Sequence, residues 1–159
     1  MRSILFVCTA NICRSPMAEG VLRKLLLEEG LQDKFDIDSV GTHDYHVGEA
    51  PYPAAIEAAK GRGYEIVHLV SRKIRPHDFD HFDHILGMDK SNIKNLQTIA
   101  PTRSKQKIEL LLEYGDKYHG KEIADPYGKK GKDFELALDM IEDGCKGLVE
   151  FLKTTAIRK

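Results

Sequence analysis

Apolar and β-branched runs alternate with stretches of helical periodicity along this chain. The short runs have the length and residue types of buried strands, and they predict β-strands at 3–7, 35–40, 84–88 and 108–112. Apolar positions spaced three and four residues apart predict helices at 16–30, 53–62, 90–99 and 134–152. Strands that alternate with helices are typical of βαβ units, so the pattern predicts an α/β fold with a parallel sheet.

The first predicted helix has recognisable boundary residues. Pro16 suits the first helical position, and Ser15 directly before it is in place to cap the helix. Gly30 suits the position just after the helix, where a left-handed backbone is common. Ligands of an open α/β sheet bind beyond the carboxyl ends of its strands. We therefore expect a binding site in residues 8–15, which join the first strand to this helix.

The composition excludes several classes of protein. With 159 residues, of which 42% are hydrophobic and 31% charged, the chain has the size and balance of one globular domain, which we place at 1–159. A net charge of -1 with scattered basic residues argues against nucleic-acid and anionic-lipid partners. No apolar run approaches the roughly 18 residues of a membrane span, and the N-terminal run is too short for a signal peptide. We therefore expect a cytoplasmic protein.

Residues 8–15 carry a thiol and a guanidinium between a buried strand and a helix start. They read Cys-Thr-Ala-Asn-Ile-Cys-Arg-Ser, which places Cys8 and Arg14 on either side of a five-residue bend. Main-chain N–H groups, the positive end of a helix and the fork of Arg14 would all suit a dianionic phosphate. The same field favours an ionised, nucleophilic Cys8, and Ser15 can donate a hydrogen bond to its sulfur.

Simpler interpretations of this loop are weaker. A lone cysteine that ends a strand usually packs as a small apolar residue, but the register with Arg14, Ser15 and Pro16 favours a reactive Cys8. A nucleotide-binding Walker loop would end in Gly-Lys-Ser or Gly-Lys-Thr, and this loop does not. The chain has three cysteines, and this odd number also argues against a disulfide framework.

A phosphatase loop of this kind needs a general acid to protonate the departing phenolate. Few residues precede Cys8, so the acid has to come from a later loop. Asp125 is the best candidate, because Pro126 and Gly128 fix a turn that presents a carboxylate beside the ring of Tyr127. Asp before Pro is also common in ordinary surface turns, so Asp125 alone would not decide the matter.

The chain has both the loop of Cys8 and, far downstream, the loop of Asp125. In this it resembles the low-molecular-weight protein tyrosine phosphatases, from Ile4 to the last helix. The matching motifs are Cys, five residues, Arg, Ser and Pro near the N-terminus, and an Asp-Pro-Tyr loop far downstream. The resemblance implies a flavodoxin-like three-layer sandwich with a four-stranded parallel sheet. It also implies hydrolysis of protein phosphotyrosine through a cysteinyl-phosphate, with Cys8 as nucleophile, Arg14 as phosphate clamp and Asp125 as general acid and base.

The resemblance also assigns binding and supporting residues. The substrate-binding set is Thr9, Ala10, Asn11, Ile12, Cys13, Ser15, Tyr45 and Tyr127, and Ser39 and His68 are expected to support Asn11. Tyr45 and Tyr127 would flank the substrate ring and deepen the pocket, which favours phosphotyrosine over phosphoserine. Two positions depart from the family pattern, because Ala10 replaces the usual Gly and Val67 precedes His68 where Ser is common.

The resemblance implies neither a metal nor a cofactor. The histidines and aspartates of 77–84 could suggest metal ligands, but a solvated helix that runs into a strand explains them equally well. The expected partners are phosphotyrosine proteins, with phosphate and other oxyanions as inhibitors, and the expected state is a monomer or weak dimer. The lysines of 129–132 either solvate the long loop or meet acidic flanks of a phosphoprotein.

Four other functions share parts of this pattern. A protein arginine phosphatase is the runner-up, but that branch resembles a loop with Thr at the position of Ile12. A thioredoxin-coupled arsenate reductase needs two relay cysteines downstream, where the chain has only Cys145. A non-hydrolytic cysteine phosphoryl carrier would not need Arg14 together with Asp125, and a phosphotyrosine-binding module would bind without turnover.

The second cysteine of the loop suggests redox control. By the resemblance, Cys13 should lie near enough to Cys8 to condense with its sulfenic acid into a reversible disulfide. This would make the enzyme redox-sensitive and protect Cys8 from further oxidation. The alternative is that Cys13 only packs beneath the loop.

Overall fold

A four-stranded parallel sheet forms the centre of the protein, in a computed structural model that describes residues 2–157. The strands are β1 (Arg2–Cys8), β2 (Phe35–Gly41), β3 (His84–Gly87) and β4 (Ile108–Leu110), and their order in the sheet is β2-β1-β3-β4. Every neighbouring pair is parallel. The prediction of an α/β, flavodoxin-like fold is therefore confirmed.

Helices cover both faces of this sheet. They are α1 (Arg14–Glu28), α2 (Pro53–Gly61), α3 (Pro76–His81), α4 (Lys90–Ile99) and α5 (Gly131–Ile157), with 3-10 helices at Thr102–Lys107 and Leu111–Tyr114. Side chains of β1 alternate between two cores, because successive residues of a strand point to opposite faces. Ile4 and Phe6 pack with α1, α2 and α5, whereas Leu5 and Val7 pack with α3 and α4.

The start of α1 differs from the sequence prediction. The helix begins at Arg14, so Ser15 lies in its first turn and does not cap it. The residue before the helix is Cys13, whose side chain makes no capping hydrogen bond within the part of the chain that the structure describes. The hydroxyl of Ser15 contacts the sulfur of Cys8 instead. At the other end, Gly30 has a φ of 71°, the left-handed conformation expected after a helix.

The fourth strand and the last helix also have different bounds from those predicted. The strand ends at Leu110, because the chain then turns into a 3-10 helix that buries Leu111 and Leu112 in the core. The last helix extends beyond 134–152 at both ends.

The parallel arrangement brings the ends of β1, β2 and β3 to one edge of the sheet. Cys8 pairs with Gly41 at the end of β2, and Val7 pairs with Gly87 at the end of β3. Loops that follow these strands therefore meet at one place. Among residues 2–157, no helix is long and apolar enough to cross a membrane.

Candidate active site

The loop after β1 uses its carbonyl groups to attach itself to the rest of the fold. The carbonyl oxygens of residues 8, 9, 10, 12 and 13 accept hydrogen bonds from the N–H groups of Thr42, His43, Tyr52 and Met17 and from the hydroxyl of Ser71. By contrast, no main-chain N–H of residues 9–15 donates to an acceptor in residues 2–157. A run of free N–H groups in a tight bend is an anion-binding arrangement.

Asn11 fixes the shape of this loop. It has a φ of 59°, and among residues 2–157 it is the one non-glycine residue with a positive φ. Asparagine tolerates this left-handed region better than most residues. Its Nδ2 donates to Ser15 Oγ at 2.7 Å and to Ser39 Oγ at 3.1 Å, and its Oδ1 accepts from Arg72 N at 3.1 Å. Ala10 is not left-handed, so its Cβ adds little strain.

A chain of hydrogen bonds orients the Ser15 hydroxyl toward Cys8. The carboxylate of buried Glu19 accepts the Ser39 hydroxyl proton at 2.8 Å, so the Ser39 oxygen is free to accept from Asn11. Asn11 also donates to Ser15, so the Ser15 proton goes to another acceptor, and besides Cys8 the Val40 carbonyl lies 3.4 Å away. The Cys8 sulfur lies 3.0 Å from Ser15 Oγ and is well placed to receive it. Ser15 can therefore stabilise negative charge on the sulfur.

Glu19 was not singled out from the sequence. Its side chain is buried, and burial raises the pKa of this carboxyl, although hydrogen bonds from Ser39 and Arg23 act in the opposite direction. The sequence does contain a sign of this role, because Glu19 is an acidic residue on the buried face of α1, four positions after Ser15.

The prediction that His68 supports Asn11 is wrong. His68 is exposed, as is the preceding Val67, and its side chain is not among the partners of Asn11. The main-chain N–H of Arg72 takes that place. The chain after Ile66 turns at Leu69, where Leu69 N donates to Ile66 O, and this turn leaves the His68 side chain on the surface.

Arg14 is held along one edge and free along the other. Its side chain is 1% exposed, and Nη1 donates to Asp89 Oδ2 and to the carbonyl of Ile123, each at 2.7 Å. Nη2 makes one long hydrogen bond of 3.4 Å to Thr9 Oγ1 and lies 3.8 Å from Asp125 Oδ2, and Nε is buried without a partner in residues 2–157. The edge formed by Nε and Nη2 can therefore bind two phosphoryl oxygens. Burial lowers the pKa of Arg14, but negative charge on Cys8 and the Asp89 hydrogen bond outweigh it.

Asp89 is a second carboxylate that was not singled out from the sequence. It is the N-cap of α4, where its side chain accepts from Asn92 N at 2.8 Å. The sequence does contain two signs of this role. Asp89 directly follows a predicted strand, which places it at the ligand-binding edge of a parallel sheet, and it lies three residues before Asn92, the spacing of a helix cap.

A cavity of about 210 Å³ opens above the loop and contains most of the predicted site. Its lining residues are Cys8, Thr9, Ala10, Ile12, Cys13, Tyr45, His46, Asp125 and Tyr127. Asp125 stands at the mouth, about half exposed, with Oδ1 accepting from Tyr127 N at 3.2 Å. Its Oδ2 lies 3.8 Å from Arg14 Nη2. The carboxylate is therefore close to the place where a bound phosphoryl group would lie.

Aromatic rings surround the cavity mouth and join the two loops. Tyr45 and Tyr127 both line it, and the His46 ring lies 5.9 Å from the Tyr127 ring. Tyr52, which was not singled out, donates its N–H to Ile12 O at 2.8 Å, and its ring lies 4.9 Å from that of Tyr127. Ring pairs at such separations are attractive. Tyr52 thus packs the loop of Asp125 against the phosphate-binding loop.

The three cysteines have different surroundings. Cys13 lines the same cavity as Cys8 and is 2% exposed. Burial raises the pKa of Cys13, and negative charge on Cys8 raises it further. Cys145 is fully buried in α5, far from the cavity lining, and burial raises its pKa as well.

The histidines of 77–84 do not converge on one point. His81 Nε2 lies 2.7 Å from Asp36 Oδ2, while the His84 ring packs edge-on against Phe151. Within residues 2–157, no three His, Cys, Asp or Glu side chains are grouped so that they could hold a metal ion.

Comparisons with known proteins agree with this geometry. The family model for low molecular weight phosphotyrosine protein phosphatase matches residues 3–158. A low molecular weight phosphotyrosine protein phosphatase of Schizosaccharomyces pombe is 45% identical over 125 residues, which is 78% of this chain and 80% of that protein. A protein tyrosine phosphatase of Entamoeba histolytica superimposes with a TM-score of 0.94 at 35% identity, covering 98% of this chain and 99% of the other.

A further similar structure bears on the runner-up function. The YwlE arginine phosphatase superimposes with a TM-score of 0.85 at 28% identity, covering 95% of both chains. The two chains share the fold, and the family model spans almost the whole of this one. The chain belongs to the low-molecular-weight phosphotyrosine protein phosphatases.

Proposed function

We propose that this chain, acting as one domain over 1–159, hydrolyses protein phosphotyrosine through a cysteinyl-phosphate on Cys8. The observation that carries the proposal is the convergence of three groups on one cavity. These are the N–H groups of residues 9–15, which have no acceptor within residues 2–157, the edge of Arg14 formed by Nε and Nη2, and the carboxyl group of Asp125. Residues 8–14 would therefore act as a phosphate-binding P-loop.

In the first step, the Cys8 thiolate attacks the phosphorus atom while the bond from phosphorus to the tyrosine oxygen breaks. The electron pair of that bond goes to the phenolate oxygen, and the Asp125 carboxyl group donates its proton there. The Nε and Nη2 groups of Arg14 and the loop N–H groups hold the three remaining phosphoryl oxygens. These donors are already fixed by the fold, so they need no reorganisation as charge develops.

In the second step, a water molecule attacks phosphorus and releases inorganic phosphate. The Asp125 carboxylate takes a proton from the water, and the bond between phosphorus and sulfur breaks to restore the Cys8 thiolate. The Ser15 hydroxyl, 3.0 Å from the sulfur, stabilises the charge that returns there. Phosphate and similar oxyanions should inhibit by occupying the same cradle.

The aromatic cavity mouth supports phosphotyrosine as the substrate. Cys8 is 3% exposed and lies at the bottom of the cavity, while Tyr45 and Tyr127 are 64% and 48% exposed at its mouth. A phosphotyrosine side chain is long enough to reach Cys8 between these rings, and phosphoserine is shorter. We infer a cytoplasmic phosphatase that acts on phosphoproteins as a monomer or weak dimer and binds no nucleic acid.

Two substitutions test this mechanism. Cys8→Ser should abolish turnover and keep vanadate binding, because Arg14 and the N–H groups remain. Asp125→Ala should slow hydrolysis of phosphotyrosine by roughly 10²–10⁴-fold, the usual contribution of a positioned acid or base. The slowing should be smaller for esters with good leaving groups, which need less protonation. Near wild-type turnover by Cys8→Ser would exclude a cysteinyl-phosphate.

The similarity to the YwlE arginine phosphatase supports phosphoarginine as a second candidate substrate. Ile12 lines the cavity and is 4% exposed, and an apolar branched side chain at this position offers the guanidinium of phosphoarginine no hydrogen bond. We therefore expect phosphotyrosine peptides to have a higher kcat/KM than phosphoarginine peptides. Metal-free hydrolysis of both, with phosphoserine peptides as a third substrate, decides the order.

A further inference from the structure

Three exposed lysines follow the loop of Asp125. Lys129, Lys130 and Lys132 are all exposed, and none of them makes an ion pair or a side-chain hydrogen bond within residues 2–157. Lys153 differs from them, because its ammonium group lies 2.7 Å from Glu29 Oε1. The three lysines therefore form a patch of positive charge that the fold itself does not neutralise.

Nearby carboxylates are already occupied by other groups. Glu122 accepts from Lys90 N at 2.8 Å, and Asp133 accepts from the main-chain N–H of Lys130 at 3.1 Å. Glu135 lies 2.7 Å from Arg62 Nη2. These acidic side chains contact main-chain groups or Arg62, and within residues 2–157 no carboxylate lies within ion-pair distance of the three ammonium groups.

The backbone holds this patch beside the cavity mouth. Lys129 N donates to Pro126 O at 2.9 Å, and Gly128 takes a φ of 74°, so 126–129 forms a closed turn. A hydrogen-bonded turn keeps its first and last Cα atoms within about 7 Å. Tyr127, inside the same turn, lines the cavity above Cys8. The turn therefore holds Lys129 close to the cavity mouth, and Lys130 and Lys132 follow it directly in the chain.

The segment that contributes Tyr45 and His46 to the cavity lining carries acidic residues instead. Exposed Asp44 and Glu49 lie on either side of Tyr45 and His46, and His46 Nδ1 lies 3.2 Å from Glu49 Oε1. Positive charge is therefore concentrated on the side of the acid loop. This asymmetry can discriminate between peptides by the sign of their charge.

We propose that Lys129, Lys130 and Lys132 select phosphotyrosine peptides that have acidic residues beside the phosphotyrosine. The proposal rests on the proposed function, because it names the substrate class of the same cavity. The lysines contact only the flanking residues, so they should strengthen binding of substrate and transition state equally and act mainly on KM. Two or three exposed ion pairs of ordinary strength amount to about a 3- to 30-fold difference in kcat/KM.

The experiment compares two phosphotyrosine peptides that differ only in having Glu or Gln at the positions on either side of the phosphotyrosine. The test variant carries Lys129→Gln, Lys130→Gln and Lys132→Gln. The control variant carries Lys34→Gln, Lys94→Gln and Lys105→Gln, which are exposed lysines outside the cavity lining and change the net charge equally. Kinetics are measured at low and at physiological ionic strength.

We expect wild type and control to prefer the Glu peptide by about 3- to 30-fold at low salt, and the test variant to lose that preference through a higher KM. Added salt should shrink the preference of the wild type. Equal rates on both peptides for the wild type, or an equal loss of preference in the control, would overturn the proposal. Failure of the wild type to hydrolyse any phosphotyrosine peptide would instead overturn the proposed function, and this proposal with it.

Discussion

Arg14 Nη1 lies 2.7 Å from Asp89 Oδ2, while Nε of the same guanidinium is buried without a partner in the described residues 2–157. The ion pair fixes the plane of the guanidinium, so the free edge points in a constant direction. Asp89 comes from the loop after β3, and Arg14 comes from the helix after β1. The relationship therefore depends on the parallel pairing of these two strands.

Substitution of Asp89 should weaken oxyanion binding more than it weakens the fold. Asp89→Asn keeps an N-cap, since asparagine caps as well as aspartate, but removes the charge beside Arg14. A hydrogen bond to a charged group is worth about 1.5–3 kcal/mol, so we expect vanadate affinity and kcat/KM to fall by roughly 10- to 150-fold. Asp89→Ala should show the same loss and also lower the free energy of unfolding by about 1 kcal/mol. Unchanged vanadate affinity in Asp89→Asn would contradict the role.

Close packing between β2 and the phosphate-binding loop suggests a second test. A Cβ added to Gly41 would lie 2.8 Å from Thr9 O and 3.0 Å from Ala10 C, which are main-chain atoms and cannot rotate away. Gly41→Ala should therefore displace the loop, with a cost of about 1–3 kcal/mol in unfolding free energy and a clear loss of phosphate affinity. Gly61→Ala is the matched control, because a Cβ there meets no atom of residues 2–157 within 4 Å. Calorimetry and phosphate titration of both variants check the prediction.

The local part of the site could be predicted from the sequence because its residues are neighbours in the chain. Cys8, Arg14 and Ser15 lie on one short bend, and their spacing alone indicates an anion site. Asp125 needed the family resemblance, since nothing in the chain between it and Cys8 shows that the two loops meet. Strand pairing determines that meeting, and pairing partners are not visible in a single sequence.

The supporting residues were harder to predict for the same reason. Glu19, Tyr52 and Asp89 act through contacts between separate elements, and each also fits an ordinary structural role. His68 shows the opposite error, because a family position was transferred along the chain without the turn at Leu69, which leaves that side chain exposed. The fourth strand was predicted too long because Leu111 and Leu112 are as apolar as a strand but are buried by a 3-10 helix.

Oxidation of Cys8 should be reversible because Cys13 shares its cavity. Peroxide converts the Cys8 thiolate to a sulfenic acid, which removes the negative charge that helps to raise the pKa of Cys13. The Cys13 sulfur can then attack the sulfenic sulfur, forming a disulfide and releasing water. We expect dithiothreitol to restore activity after peroxide, and bound phosphate to protect Cys8.

Cys13→Ser distinguishes this protection from simple packing. The variant should remain catalytic, because Cys13 takes part in no step of the proposed mechanism, but it should not recover after peroxide. Mass spectrometry of the oxidised wild type should show a link between Cys8 and Cys13. Full recovery by the variant, or a link that involves Cys145, would rule out the protective role.

Mild acid should destabilise the protein through His84, at the start of β3. Burial lowers the pKa of His84 from its ordinary value of 6.5, Arg2 lowers it further, and Asp83 and Glu109 oppose the change. Its Nε2 is also buried without a hydrogen-bond partner in residues 2–157. The folded protein therefore holds the neutral ring, while the unfolded chain binds a proton at a higher pH.

The sign of the effect follows from proton binding. Between the lowered pKa of His84 and 6.5, the unfolded state binds more protons, so the free energy of unfolding falls as the pH falls through this range. Above pH 6.5 this contribution is fully present.

His84→Gln removes the titrating ring and should flatten the pH dependence, whereas His119→Gln, at an exposed position, should leave the wild-type slope. Urea unfolding of the three proteins at several pH values measures these slopes, over a range that extends about one pH unit to either side of 6.5. Because acidic groups elsewhere titrate equally in all three proteins, equal slopes in wild type and His84→Gln would mean that another group controls the acid sensitivity.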